Sequence, residues 1–289
     1  MVVGDQPPYP LEKREDGNFG STKLPKTYFV KVQRASNNKI SGITMVQPQG
    51  EFEFKFLGKE KPESKIKMSA DELMSKTIAA LGGEKNMRKI NSRLMTFKLD
   101  AVNQGVKGYG KIYQKTPNKS SSNTTLTALG KKIGWIKEVF DGKNGSEKYS
   151  FSSDETYTGK RLEDVKVTQS FYTFLDWKDK YENVEIVKMD KVGEEEVYVV
   201  SIAPKNASKF GIYVSTKTFL PLRKRSVIVS STSSQRIPIS EDYSDYREVD
   251  GLKLPFKVVS NNPGMGKIIT YITDVKHNKK ISEKKFSNR

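Results

Sequence analysis

The stretch that decides the fold is Tyr243–Val258, which reads YSDYREVDGLKLPFKV. Two runs of strand-forming residues flank the dipeptide Asp250-Gly251, and both of these residues tolerate the positive φ that a two-residue type I′ turn requires. The sequence therefore predicts a β-hairpin. In the second strand every other residue is apolar, namely Leu252, Leu254 and Phe256. One face of the hairpin is thus expected to rest on another part of the molecule.

Strand patterns of the same kind fill most of the chain from residue 93 to residue 276. About eleven short runs of β-branched and aromatic residues follow one another there, separated by turn residues. Such spacing is typical of a meandering antiparallel sheet. We expect a mainly β (α+β) domain with one helix before the sheet and one or two helices interrupting it.

The predicted helix before the sheet has clear boundaries. Ser69 and Glu72 have the spacing of a capping box, and Gly82-Gly83 is a C-terminal stop signal. Apolar residues recur between them at helical spacing: Leu73, Met74, Ile78 and Leu81. A shorter helix is predicted over residues 84–90, and Val167–Tyr181 also has a helical pattern of aromatic residues.

Residues 1–66 are predicted to form a separate small β-rich module with a charged linker, and residues 67–289 the main domain. Residues 27–34 and 39–46 have the pattern of paired strands. In Glu51–Leu57, phenylalanines alternate with charged residues, which is typical of a half-buried strand. The stretch 58–67 (GKEKPESKIK) has the composition of a linker.

The net charge of +17 favours anionic partners, such as anionic membrane surfaces, acidic proteins or nucleic acid. A solvated, lysine-rich surface explains the same charge equally well. The candidate basic surface consists of Lys107, Lys111, Lys115, Arg223, Arg225, Lys279, Lys280, Lys284 and Lys285.

The chain has no cysteine, which excludes disulfides, thiol nucleophiles and Cys-ligated metals. No apolar run approaches the ~20 residues that span a bilayer. Residues 1–8 are polar and lack the hydrophobic segment of a signal peptide. We therefore expect a chain that is cytosolic, already processed, or part of a larger protein.

Two motifs suggest nucleotide or nucleic-acid binding only weakly. Gly105–Lys111 matches the phosphate-loop spacing GxxxxGK, but Ile112 replaces the required hydroxyl and a strand follows instead of a helix. Lysines and tyrosines alternate along the same strand, as they do where aromatic side chains stack on bases. An exposed sheet face with lysine stems over tyrosine rings explains this pattern as well. No recognisable nucleic-acid motif supports it, so nucleic acid is not expected as a partner.

Candidate catalytic residues are few. His277 is the only histidine, and it has no acidic or nucleophilic neighbour at useful spacing in the sequence. A histidine-rich metal site is therefore excluded. Asp242, Asp245 and Glu248 form a carboxylate cluster, which a glycosidase-like hydrolase could use. Charge pairing across strands on the outer face of a sheet explains them more simply.

The order of elements from residue 69 to 289 resembles the LolA/LolB-like superfamily of bacterial envelope proteins, in particular its outer membrane lipoprotein-sorting branch. The matching segments are ADELMSKTIAALGG (70–83), YQKTPNK (113–119), VFDGKNG (139–145), YVV (198–200), YVSTKTFLPL (213–222), the 243–256 hairpin and ISEKKF (281–286). Residues 18–57 resemble the β-rich modules at the C-terminal end of exported peptidases and serine hydrolases, with KISGITMVQP (39–48) as the similar segment.

The superfamily resemblance implies an unclosed antiparallel β half-barrel around a helix and a hydrophobic cavity for acyl chains. It also implies a periplasmic or cell-envelope location, and it implies neither an enzyme nor a cofactor. The expected ligand is a lipid or a lipoprotein acyl chain. The candidate lid residues are Leu73, Ile78 and Leu81, and the candidate wall residues are Met95, Phe97, Leu99, Val197, Val199, Phe210, Ile212, Leu254 and Phe256.

Two alternatives to a lipid carrier stay open at the level of sequence. The sheet could fill its interior with its own side chains and serve as an accessory module, docking through its basic surface onto an envelope complex or a hydrolase partner. The second alternative is a hydrolase that uses the carboxylates named above. From the residues alone, a self-filled core and a ligand cavity are equally compatible with the apolar face.

Overall fold

The computed structural model describes residues 10–22, 24–48, 50–55, 66–229, 236–262 and 266–287. The chain divides into two compact units, Met1–Glu63 and Ser64–Arg289. Among the described residues, no helix is both long and apolar enough to cross a membrane.

The first unit contains a five-stranded antiparallel sheet whose strands follow chain order. They are β1 (Glu12–Lys13), β2 (Phe19–Gly20), β3 (Phe29–Arg34), β4 (Ile40–Gln47) and β5 (Gly50–Lys55). Val30 is buried, whereas Phe54 of β5 is 49% exposed, so the predicted half-burial is not found there. Among the described residues of this unit, the sheet is the only layer. The face of β5 that carries Phe54 is therefore not covered by a second layer of the unit. Phe56 and residues 58–65 of the predicted linker lie outside the described residues.

The second unit contains four α-helices and one large sheet among its described residues. The helices are α1 (Ala70–Ala80), α2 (Glu84–Lys89), α3 (Gly159–Thr168) and α4 (Trp177–Lys180). The strands are β6 (Ser92–Ala101), β7 (Val106–Lys115), β8 (Lys119–Ala128), β9 (Lys131–Phe140), β10 (Gly145–Tyr149), β11 (Glu155–Thr156), β12 (Tyr181–Val192), β13 (Glu195–Pro204), β14 (Phe210–Ser215), β15 (Pro221–Val229), β16 (Arg236–Val249), β17 (Leu252–Asn262) and β18 (Gly266–His277).

The sheet is antiparallel throughout and open. Its strand order is β11-β10-β9-β8-β7-β6-β18-β17-β16-β15-β14-β13-β12, so the last strand, β18, pairs with the first, β6. This pairing joins two meanders into one sheet of 13 strands, whose edges are β11 and β12. The predicted mainly β fold, an unclosed antiparallel sheet with a helix packed on it, is confirmed. In this sheet, the strands that the sequence analysis did not identify are the short β10 and β11.

Helix α1 forms where the capping signals predict it. The Ser69 hydroxyl accepts a hydrogen bond from the Glu72 backbone N–H at 3.1 Å, which satisfies one of the free donors at the helix N-terminus. Leu73 and Met74 are buried against one face of β12–β14, in a cluster with Val200, Ile202, Phe210, Ile212 and Val214. We call this the inner face of the sheet, and the opposite one the outer face.

The predicted hairpin at Asp250-Gly251 is confirmed. Val249 pairs with Leu252, and the two residues between them have φ of 50° and 76°, as a type I′ turn requires. The turn contacts the end of α1, because the Lys253 N–H donates to the Leu81 carbonyl at 3.0 Å. The apolar face of the hairpin thus rests on the α1–α2 connection, with Leu252 buried beside Met87 and Ile90 of the α2 region.

The predicted helical run over Val167–Tyr181 is wrong for most of its length. Helix α3 ends at Thr168 and α4 has only 4 residues, so residues 169–176 are non-helical. Asp176, before α4, has a left-handed φ of 54°. The aromatic residues of this segment pack into two different clusters, Phe174 with α1 and Phe171 with α2. The packing of these rings in the tertiary structure overrides the local preference for a helix that their spacing suggests.

Candidate binding cavity

A cavity of about 510 Å³ lies on the inner face of the sheet. Its apolar floor comes from strands on both sides of the β6–β18 junction and consists of Met95, Ile112, Ile212, Val258 and Ile272. The volume is in the range of small-molecule sites, about 300–1,000 Å³. The floor is continuous across the two meanders, so the cavity depends on their pairing.

The roof of the cavity is formed by Leu81, Met87 and the non-helical segment 169–176. Hydrogen bonds hold this segment in place: the Tyr172 hydroxyl donates to the Met87 carbonyl at 2.6 Å. Lys180 donates to the Tyr172 carbonyl at 2.6 Å. A surface cleft of about 620 Å³ borders the same segment, sharing Ser170, Phe171 and Tyr172 as lining residues. The segment is therefore a thin wall between the cavity and this cleft.

A buried arginine forms one end of the cavity. Arg93, at the start of β6, is 8% exposed and stacks on the Phe171 ring, with 4.8 Å from the guanidinium carbon to the ring centre. Its Nε donates to Nε2 of His277 at 3.2 Å, and Nη1 donates to Oε1 of Gln114 at 3.3 Å. Burial lowers the pKa of Arg93 to about 10, so the group is still charged at neutral pH.

His277 is held in one tautomer by the hairpin turn. Its Nδ1 lies 2.9 Å from Oδ2 of Asp250, while its Nε2 accepts from Arg93. Burial, with the Arg93 charge, lowers the pKa of His277, so the ring is neutral at neutral pH and carries its proton on Nδ1. The carboxylate neighbour that the sequence did not reveal is thus 27 residues away along the chain.

A second polar group lies on the opposite wall. Lys224 and Glu241 are 3.8 Å apart, and the Tyr243 hydroxyl donates to Glu241 at 3.1 Å. Burial raises the pKa of Tyr243, which keeps its hydroxyl protonated. The Tyr246 hydroxyl donates to the Pro221 carbonyl at 2.6 Å. These groups neutralise one another, so this wall is polar but carries little net charge.

The cavity brings together only part of the predicted ligand-binding set. Its lining includes Leu81, Met95, Ile212 and Leu254. Leu73 and Phe210 belong to the core beneath α1, and Ile78 packs at the edge of the same core. Phe210 and Val199 also line a shallow groove of about 880 Å³ elsewhere on the sheet.

The remaining predicted wall residues lie elsewhere on the sheet. Val197 and Val199 pack with Tyr213 on the outer face of β13, because successive residues of a strand point to opposite faces. Phe97 and Leu99 are on the inner face but cover the glycines of β7, since their side chains fill the places of a Cβ at Gly110 and Gly108. Phe256 lies beneath the Arg247 guanidinium, 4.6 Å from ring centre to guanidinium carbon.

The polar lining residues were not singled out from the sequence, although one signal was present. Arg93 precedes Met95 by two residues and therefore shares its face of the strand. Gln114 is opposite Arg93 in the β6–β7 register. Lys224 and Glu241 carry no such local signal, because only the strand register places Lys224 opposite Ile212 of the floor and Glu241 opposite Lys224.

The predicted basic residues fall into two separate regions. Lys107, Lys111 and Lys115 share the outer face of β7, and Glu283 near the C-terminus pairs with Lys115 and also with Lys119, the latter at 2.7 Å. Lys285 lies over the Tyr113 ring of the same strand, and Lys279, Lys280 and Lys284 are exposed. The second region, Arg223 and Arg225 on β15, is separated from β7 by the four strands β6, β18, β17 and β16.

The carboxylate cluster of β16 does not converge on one point. Asp242 forms a two-pronged ion pair with Arg223 of the neighbouring strand, and Asp245 pairs with Arg247 at 2.7 Å. Glu248 is exposed. The Asp242–Arg223 pair is the cross-strand charge pairing described above, whereas Asp245 and Arg247 are two residues apart on the same strand. Within the described residues, no group of His, Asp and Glu side chains is arranged to hold a metal ion.

A different pair of carboxylates is close together beneath α3. Glu138 of β9 and Glu147 of β10 are directly opposite each other, and the Tyr157 hydroxyl donates to both, at 3.2 and 2.9 Å. Arg161 donates to Glu147 at 3.1 Å. Desolvation and the neighbouring Glu147 charge raise the pKa of Glu138 to about 7. The group therefore holds a proton over part of the neutral range.

No family model and no curated protein matches this sequence. Three solved structures of similar arrangement cover about three quarters of the chain. An outer membrane lipoprotein-sorting protein domain from Vibrio parahaemolyticus has 10% identity and a TM-score of 0.49, covering 75% of this chain and 95% of its own. A LolA superfamily protein from Nitrosomonas europaea has 13% identity and a TM-score of 0.48, covering 76% and 98%. A DUF1329 family protein from Desulfovibrio piger has 12% identity and a TM-score of 0.48, covering 76% and 97%.

Proposed function

We propose that residues 67–289 form a non-catalytic, carrier-like domain that binds the acyl chain of a lipid or lipoprotein in the bacterial cell envelope. The observation that carries this proposal is the cavity between the apolar floor of the sheet and the roof of segment 169–176. The envelope location is part of the proposal and rests on the resemblance of the sequence motifs.

The energetics favour a chain-like apolar ligand at this floor. Each methylene group moved from water into an apolar site contributes about 0.8 kcal/mol. Met95 and Ile112 pair across β6–β7, and Val258 and Thr270 pair across β17–β18, so the floor is an extended strip of neighbouring strands. A strip of this kind suits an extended chain better than a compact ring system.

Since the proposal places the lipid in this cavity, a bulky side chain on the cavity floor should block lipid uptake. In Ile112→Trp, we expect binding of a fluorescent fatty acid to weaken at least about tenfold, because the indole takes the place of the ligand. Leu129→Trp, in the exposed turn between β8 and β9, is the matched control and should bind as the unchanged protein does. Fluorescence titration measures both, with thermal unfolding to verify the fold.

The same proposal predicts that lipid copurifies with the protein. Native mass spectrometry and organic extraction of the purified chain should detect bound amphiphile. Repeated absence of lipid, together with no uptake of fluorescent fatty acid, would contradict a carrier function. Equal loss of binding in both tryptophan variants would place the ligand outside this cavity.

A second candidate function is supported by the outer face. Tyr271, Lys98, Tyr109, Thr125 and Trp135 lie side by side in one row across β18, β6, β7, β8 and β9. The three aromatic side chains are 42%, 55% and 38% exposed. Exposed tyrosine and tryptophan beside lysine are typical of surfaces that meet the headgroup layer of an anionic membrane. We propose this row as a docking surface for such a membrane.

A further inference from the structure

Within the described part of the chain, the guanidinium of Arg93 has no acidic hydrogen-bond partner. The guanidinium is buried, yet its hydrogen-bond acceptors within the described residues are a neutral imidazole and a neutral amide. An uncompensated buried charge is costly, and the cost is relieved when an anion comes into contact with it. A single negative charge beside Arg93 is therefore electrostatically favourable.

The geometry around Arg93 is fixed before any ligand arrives. Asp250 holds the His277 ring, His277 and Gln114 each accept one N–H of the guanidinium, and the Phe171 ring supports its flat face. The remaining terminal nitrogen, Nη2, donates a hydrogen bond to no described residue. It is not fully buried. Since Arg93 lines the cavity, this nitrogen is accessible from it.

The other cations of the cavity lining differ from Arg93. Lys224 is beside Glu241, and its ammonium lies 5.7 Å from the centre of the Phe210 ring. Lys253 is exposed at the start of β17. Arg93 is thus the buried cation of this lining that forms an ion pair with no described carboxylate. An arginine in this setting favours a carboxylate or a phosphate, because its planar donors match the oxygens of both.

We infer that the cavity selects an amphiphile with an anionic headgroup, a carboxylate or a phosphate, which pairs with the guanidinium of Arg93. Its acyl chain extends from there along the floor towards Val258 and Ile272. This inference rests on the proposed lipid-binding function and adds the class of ligand to it. A neutral ester of the same chain length is the disfavoured ligand.

The decisive comparison uses the unchanged protein and needs no variant. Binding of cis-parinaric acid and of its methyl ester is measured by fluorescence titration at neutral pH. We expect the acid to bind about tenfold more tightly or better, since a charged hydrogen bond is lost in the ester. Equal binding of acid and ester overturns the Arg93 inference and leaves the proposed function intact. Binding of neither contradicts the proposed function itself.

Variants then assign the selectivity to the arginine. Arg93→Met should lower the affinity for the acid to that of the ester, whereas Arg93→Lys should keep a preference for the acid. Arg14→Met is the matched control, because Arg14 also stacks on an aromatic ring, Phe29 at 5.4 Å, but belongs to the first unit. Selectivity that persists in a folded Arg93→Met protein overturns the inference. If Arg93→Met does not fold, the Arg93→Lys variant and the acid–ester comparison decide.

Competition distinguishes the sources of the anion. Lysophosphatidic acid should displace the bound parinaric acid, because it combines a phosphate with an acyl chain. Inorganic phosphate alone should not displace it. Displacement by inorganic phosphate at the same concentration as the lysolipid would identify a small-anion site and overturn the assignment of an amphiphile.

Discussion

Among the described polar groups on the inner face of the sheet, the one beneath α3 and the one around Arg93 differ in how their charge is balanced. Glu147 beneath α3 has Arg161 as a counter-charge, and Glu138 beside it is stabilised in its protonated form. Arg93 at the cavity is held by neutral acceptors. The charges of the first group are balanced within the protein, whereas the second group leaves a positive charge for a ligand.

The Glu138 site predicts a dependence of stability on pH. Its pKa in the folded protein is about 7, above the ordinary value of 4.5, so the folded state binds more protons than the unfolded state between these values. The contribution of Glu138 to the free energy of unfolding should therefore fall as the pH rises from about 5 to about 7. Glu138→Gln, which stays neutral, should flatten this slope in urea unfolding measured across that range.

The control for Glu138 is Glu185→Gln on β12, an exposed carboxylate. This change should leave the pH dependence as it is in the unchanged protein. If Glu138→Gln and the unchanged protein lose stability in parallel, the protonated Glu138 is not the source of the slope.

At the scale of elements, the contact between α1 and the Asp250-Gly251 turn connects the roof of the cavity to the sheet. The Lys253 N–H donates to Leu81 at the end of the helix, and the Asp250 side chain reaches His277 on β18. One hairpin turn thus contacts the roof, the central strand β18 and, through His277, the buried Arg93. The position of α1 and the orientation of the guanidinium depend on the same turn.

The close approach of α1 to this turn predicts a requirement for glycine at position 82. Gly82 has a φ of 119°, and a Cβ there would lie 2.1 Å from the Gly251 carbonyl oxygen. Gly82→Ala should destabilise the protein by more than the ~1–3 kcal/mol that backbone strain alone costs. Chemical denaturation measures the loss.

The neighbouring glycine is the control for that substitution. Gly83 also has a positive φ, 82°, but a Cβ there meets no atom within 4 Å. Gly83→Ala should therefore show the strain without the collision. Equal losses in the two variants would mean that the helix end moves away from the turn at little cost.

At the scale of the whole second unit, the two faces of the sheet have different roles in the proposals. The inner face carries α1, the cavity and its polar groups, and the outer face carries the exposed aromatic row and most of the predicted basic residues. The ammonium of Lys257, on the neighbouring strand β17, lies 5.8 Å from the centre of the Tyr271 ring. The row is therefore bordered by a further lysine. The net charge of +17 favours anionic partners of the chain as a whole.

The outer row predicts binding to anionic vesicles. The protein should float with vesicles that contain phosphatidylglycerol and not with phosphatidylcholine alone, and added salt should weaken the binding. Replacing Tyr109 and Trp135 with serine should reduce it. The pair Val187→Ser and Lys188→Gln on the edge strand β12 is the control. Binding that depends on an acidic protein and not on anionic lipid would contradict the membrane assignment.

Features that are decided by residues close together in the chain were predictable from the sequence. The capping signals of α1 and the type I′ turn at Asp250-Gly251 are local, because hydrogen bonds and φ values within a few residues decide them. The alternation of side chains made most strands recognisable. The short strands β10 and β11 were missed because they are 5 and 2 residues long.

The residues of the candidate cavity could be identified only from the tertiary structure. Sequence alone determined a mainly β chain with a helix packed on an open antiparallel sheet, and it placed Met95 and Leu254 among the candidates for the apolar lining. Only the fold decided that β18 pairs with β6, that Val197 and Val199 face outwards, and that His277, Asp250 and Gln114 gather around Arg93. The physical reason is range: side-chain alternation is set by each strand itself, whereas register, sheet curvature and charge balance are set by residues far apart in the chain.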